Sequence, residues 1–292
     1  MNHGITRRRL LALLGAGVAT LGAAGVAGAE PFAAGGHRGR IPRGGIGMHL
    51  YTVRDILAAD PLGTLKALAA IGYRCVGVSA FPRPAAEIRD LCAHARLDPV
   101  ILHVGHGDIT GNWAAKLADA KTIGVKWVVL SSFPGDMYTV DGIRLGARQL
   151  NEAGEAAREM GFGPILHHNH DSEFRVVDGI RLSDILFGET DPRFVGFELD
   201  LGWADRAGMD GRQLFLDHPH RFPVLHVKDH DGQGAWTDVG HGVIDWSRTF
   251  ETAHRGGVKY WLVERDDQPA PLETAANSYE TLAALRFWRS PW

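Results

Sequence analysis

Four side chains able to bind a metal ion stand at or near the ends of four successive apolar runs. They are His168 in the run 165–170, Asp200 in 195–200, His226 in 223–228 and Glu264 in 260–264. Two imidazoles and two carboxylates make a mixed nitrogen and oxygen donor set suited to a divalent cation such as Mn, Mg, Co or Zn. Such an ion, chelating neighbouring carbonyl and hydroxyl oxygens, would acidify the C–H bond between them. Glu264, or His170 as a neutral imidazole, would take the proton. Lys228 would steady the oxyanion that develops. Strand parity puts His168 with His170, Glu198 with Asp200 and His226 with Lys228. His49 and His103 end two earlier runs, Glu173 follows the fifth, and Trp203 offers an aromatic face for a sugar ring, so these four are the candidate substrate-binding groups. Each residue has an ordinary alternative at a strand end: a hydrogen bond to a loop, a cap, or for Lys228 a salt bridge to Asp229 or Asp231.

Residues so spaced need a scaffold that brings several strand ends to one place. Val/Ile/Leu-rich runs fall near 45–51, 73–79, 98–104, 126–131, 163–169, 194–200, 222–228 and 258–264. Such runs suit parallel strands covered on both faces. Helical patterns lie between and after them, near 60–71, 84–96, 111–123, 141–160, 180–188, 208–217, 245–255 and 271–288. Asp60-Pro61 and Asp141 read as helix starts, and Gly72, Gly124, Gly161 and Gly256-Gly257 as stops. Eight strand–helix units in unbroken series predict a closed (β/α)8 TIM barrel, whose active site gathers at the strand C-termini. The long stretch 229–244 after the seventh strand, with Trp236 and His241, reads as a loop over that face.

The N-terminus reads as an address. Arg7, Arg8 and Arg9 precede a Leu/Ala/Gly stretch, and Ala27-Gly28-Ala29 suits a cleavage site, so residues 1–29 are expected to be a twin-arginine signal. Residues 30–43 read as a flexible linker and 44–292 as the single catalytic domain. Removing 1–29 takes away three arginines and no acids, moving the net charge from −3 to −6. That balance argues against a nucleic-acid partner. A periplasmic or secreted location follows, with no stable membrane insertion once the signal is cleaved and with a homo-oligomer left open. The two cysteines, Cys75 and Cys92, are expected to be buried thiols.

Several segments together carry a family resemblance: 47–55, 167–174, 197–203, 225–229, 239–246 and 263–266. They resemble the sugar phosphate isomerase/epimerase family, with its xylose isomerase-like barrel, over nearly all of residues 45–288. The resemblance implies metal ligands Glu, Asp, His and Glu from strands five to eight. Asp200, His226 and Glu264 match the last three, and His168 stands where the first Glu would be. In the epimerases that Glu pairs with the last one as bases on opposite substrate faces, so two-base epimerisation is less secure here. The leading expectation is a metal-dependent isomerase or epimerase acting on a keto-sugar, polyol or sugar derivative through an enediolate. The alternatives are β-elimination, as a lyase or hydrolase of 3-keto-glycosides, and a non-catalytic exported sugar-binding barrel.

Overall fold

Short β-branched runs with no polar alternation can bury both faces only inside a layer of helices. The computed structural model, which describes residues 38–79 and 81–289, arranges eight of them in parallel. They are β1 Ile46–His49, β2 Cys75–Val78, β3 Asp98–Val104, β4 Trp127–Leu130, β5 Ile165–His168, β6 Val195–Asp200, β7 Val224–Val227 and β8 Tyr260–Val263. β8 pairs with β1, so the sheet closes into the expected TIM barrel. Helices Pro61–Ile71, Ala85–Ala95, Trp113–Ile123, Val140–Glu159 and Leu182–Glu189 follow β1 to β5. Gly211–Asp217 follows β6, and Pro271–Ala284 completes the ring after β8.

The local signals act as their chemistry dictates, with three differences. Asp60 Oδ1 accepts from Gly63 N at 2.9 Å, with Pro61 in the first turn. The long helix starts one residue before Asp141, however, because the Thr139 hydroxyl accepts from Gly142 N at 3.0 Å. The helix expected over 245–255 is two short ones, Trp246–Thr249 and Ala253–Gly256. The last helix stops at Ala284, and Phe287–Trp288 pairs antiparallel with Arg38–Gly39. The expected linker therefore ends early, since Ile41 and Phe287 are buried in the core and hold this segment to the barrel. Residues 1–37, with the expected signal, lie outside the described residues.

Inside the barrel the packing changes character with height. Cys75, Ile101, Val129, Leu166, Val224 and Leu262 form an apolar cluster separate from the larger one between sheet and helices. Toward the strand C-termini the interior turns polar, with His49, Glu198, Asp200 and His226 all buried. Gly77 makes room for this layer: a Cβ there would lie 2.8 Å from the His49 ring. Both cysteines are free and buried, and burial pushes their thiols up to about 12.

The stretch 229–244 is ordered around one anion. Asp229 is fully buried, and its carboxylate accepts from Gly240 N, Ile244 N and the Trp246 indole. Asp229–His230 pairs with Trp236–Thr237 to form a two-stranded ribbon. No helix among the described residues is long and apolar enough to cross a membrane.

Candidate active site

Strand register sets the height of each group. His226 is level with Asp200, and His168 with Glu198. Glu264 follows β8, one inward step above Leu262, which pairs with His226. His168 Nε2 lies 3.5 Å from Asp200 Oδ2, and His226 Nδ1 lies 3.7 Å from Asp200 Oδ2 and 3.0 Å from Glu264 Oε2. One ligand atom from each of the four residues falls within 4.8 Å of all the others. Around an ion with bonds near 2.1 Å, neighbouring ligands stand about 3.0–3.4 Å apart, so this cradle needs little adjustment to close on a cation.

Two atoms make the fit specific. The His168 Nδ1–H donates to Ser131 O at 3.1 Å, which leaves the Nε2 lone pair turned inward. Asp200 Oδ1 accepts from Trp203 N at 2.9 Å, which leaves Oδ2 turned inward as well. Both inward atoms are buried outside any hydrogen bond, Asp200 Oδ2 being held only by its ion pair with Lys228. Asn169 holds the strand end by exchanging hydrogen bonds with the Asp200 backbone. The residues present fit a divalent ion.

The charges point the same way. Burial pushes the Asp200 and Glu264 carboxyls up, but Lys228 and the neighbouring imidazoles together outweigh it and hold both well below the usual range. Lys228 is itself buried, its Nζ 3.0 Å from Asp200 Oδ2, 2.7 Å from Glu264 Oε2 and 3.1 Å from Asp266 Oδ1. Neither Asp229 nor Asp231 is its partner. Around His226, Glu198 and Glu264 overcome burial and hold the imidazole far above its ordinary pKa. Asp200, Glu198 and Glu264 are all buried here, and beside the fixed ammonium it is the raised His226 that balances them, a positive charge that a divalent ion would replace.

A cavity of about 350 Å3 opens above the cradle, lined by His49, His103, His168, His170, Lys228 and Glu264 with Tyr51 and Asp266 at its side. His170 has a burial-lowered pKa of about 4 and is neutral at physiological pH. His49 is pushed down by burial to about 3, against the pull of Glu264, whose Oε1 lies 2.7 Å from its Nδ1. A larger groove of about 550 Å3 beside helices Ala85–Ala95 and Trp113–Ile123 meets this mouth at Ser79 and His103. The titratable cluster belongs to the smaller cavity, which is therefore the candidate site.

Two expected substrate-binding groups are engaged by neighbouring side chains. Glu173 is turned inward, 1% exposed, accepting from Tyr138 Oη at 3.0 Å and from His170 N at 2.9 Å, with His167 Nε2 at 3.2 Å. It fixes the turn that presents His170. Trp203 stands beside the mouth, its ring 5.5 Å from that of His170 and 5.3 Å from Lys228 Nζ, and packs edge-on against Trp236 with Arg206 over both. Glu198 and Asp266 take part in the site through contacts that only the fold creates. Glu198 shares strand parity with Asp200, and that was the signal available.

The fold is a closed parallel (β/α)8 barrel similar to solved xylose isomerase-like TIM barrels. A sugar phosphate isomerase/epimerase from Parabacteroides distasonis ATCC 8503 superposes with a TM-score of 0.73 at 21% identity, over 82% of this chain and 98% of that one. The IolI protein, solved with a bound zinc atom, superposes with a TM-score of 0.61 at 16% identity, over 81% and 94%. In sequence, inosose dehydratase of Geobacillus thermodenitrificans is 29% identical over 150 residues, 45% of this chain and 48% of that protein. The match thus spans about half the length of that curated relative. No protein-family model matches the chain.

Proposed function

We propose that this protein is a metal-dependent lyase acting on a keto-sugar or keto-polyol. The observation that carries this reading is the meeting of four metal-competent side chains, the unpartnered His168 Nε2 among them, with His170 and Lys228 at one mouth. A divalent ion held by His168, Asp200, His226 and Glu264 would supply Lewis acidity toward the carbonyl and hydroxyl oxygens of the substrate. His170, neutral and facing the cavity, takes the proton beside the carbonyl. The C–H electron pair moves onto the carbonyl oxygen, where Lys228 steadies the negative charge. Collapse of that enolate expels the β-oxygen, which recovers the proton from His170 and departs as water or an alcohol. Glu264 is less suited to be the base, since His49, His226 and Lys228 already engage its oxygens. Similarity to inosose dehydratases supports elimination over simple return of the proton.

Isomerisation or epimerisation through an enediolate is the second reading. Glu264 after β8 and His170 after β5 reach the mouth from strands three apart in the closed order, so two substrate faces are within reach. The arginine pair at residues 7 and 8 supports an exported location by the twin-arginine route.

The test incubates metal-loaded protein in D2O with an inosose and with a 3-keto-glucoside. Elimination yields a conjugated enone seen by its ultraviolet absorbance, whereas isomerisation yields deuterium incorporation without loss of water or alcohol. Neither change with either ketone would leave a sugar-binding barrel without catalysis.

A further inference from the structure

Glu198 is a fully buried carboxylate with no part in the steps above. It lies one inward step below Asp200 on β6, and its two oxygens serve two imidazoles. Oε2 is 2.6 Å from His103 Nε2, and Oε1 is 3.0 Å from His226 Nε2. The other nitrogen of His226, Nδ1, faces Asp200 and Glu264 in the cation cradle. A neutral imidazole offers a lone pair at one nitrogen only when its proton sits on the other. A carboxylate at Nε2 is the group that would keep the proton there. The 3.0 Å approach lies off the N–H axis, and both atoms are otherwise buried without a hydrogen-bond partner.

The surroundings leave the ring few other orientations. His226 and His103 are parallel within 8° at 5.6 Å, and the His49 ring lies 4.4 Å from that of His226. Three imidazoles thus pack around the one carboxylate and its neighbour Glu264, beneath the mouth.

We propose that Glu198 is a positioning residue that turns His226 Nδ1 toward the cation and, through its second oxygen, holds His103 at the mouth. This rests on the metal reading above. Carboxylate partners of metal-binding histidines orient the ring and strengthen it as a donor, and their loss typically weakens metal binding by about 10–100-fold.

The experiment compares manganese affinity of the wild type and Glu198→Gln by calorimetry on metal-free protein, with the melting temperature of each metal-free form. Glu198→Gln is expected to bind about 10–100-fold more weakly, with the metal-free melting temperature reporting any loss of fold stability separately. An affinity within about threefold of wild type overturns the proposal, because a bystander carboxylate would give that result. A second measurement needs no variant and decides the matter if Glu198→Gln fails to fold. Wild-type protein labelled with nitrogen-15 histidine and loaded with cadmium-113 should show metal coupling at Nδ1 of His226 and a proton on Nε2. Coupling at Nε2 overturns the proposal while leaving the metal reading intact. A wild type that takes up no cation overturns both.

Discussion

His168 Nε2 and Asp200 Oδ2 lie 3.5 Å apart, both buried and both without a hydrogen-bond partner. A buried polar atom left unpaired costs about 1–3 kcal/mol, so a cation that satisfies His168 Nε2 and shares Asp200 Oδ2 with Lys228 is favoured. Purified protein is therefore expected to hold about one divalent ion per chain. Adding the ion to stripped protein should raise its melting temperature. Asp200→Asn is the informative variant. Its amide oxygen can still cap the helix Leu201–Arg206 through Trp203 N, while the anionic ligand is gone. Metal content by elemental analysis should fall at least about tenfold with the fold intact; full occupancy in this variant would remove Asp200 from the site.

His170 lines the mouth, and its burial-lowered pKa keeps it a neutral base. His170→Asn should slow both enone formation and deuterium exchange by about 10²–10⁴-fold, the usual contribution of a placed general base. Metal content should be unchanged. Wild-type turnover in this variant would hand the proton transfer to another group.

Lys228 and a bound cation would share oxygens, since Nζ reaches both Asp200 Oδ2 and Glu264 Oε2, while Asp266 gives it a partner toward the rim. Lys228→Met removes a competing positive charge and a stabiliser of the oxyanion. Metal affinity should hold or rise, while kcat falls by about 10²–10³-fold, as when an oxyanion donor is lost. A drop in metal affinity matching the drop in kcat would instead make Lys228 part of the cradle.

Burial raises the Glu173 carboxyl, but the His167 and His170 contacts outweigh it and bring the group down to about 2. An unfolded Glu titrates near about 4.3, so the folded state gains from ionised Glu173 above that pH and loses the gain as pH falls through about 2. The contribution at neutral pH is on the order of 3 kcal/mol. Glu173→Gln should lower stability at pH 7 and flatten its decline between pH 4 and pH 2, as followed by urea unfolding. An unaltered acid limb would show that other carboxylates govern it.

For the proposed export route, Arg7→Lys with Arg8→Lys should hold the precursor in the cytoplasm, because the twin-arginine receptor reads the guanidinium pair. Cell fractionation and immunoblotting decide this. Undiminished export would point to a general secretory signal.

The chain by itself determined the eight-fold barrel and the height of its chemistry. Each strand is a short apolar run, and period-two parity with parallel pairing obliges His168, Asp200, His226 and Glu264 to converge once the sheet closes. Tertiary structure decided which groups became partners. Glu173 and Trp203 stand just past strands, where a turn sets direction, so the sequence could not tell that one would turn inward to hold His170 and the other would pack on Trp236. The link from Glu198 to His103, residues 95 positions apart, exists because β3 and β6, three strands apart, both turn these side chains into the closed barrel. The ion pair of Lys228 with Asp266 arises likewise, where the end of β7 meets the turn after β8. Parity tells which side of a strand a residue faces, and only closure of the sheet and the packing of the turns decide what it meets there.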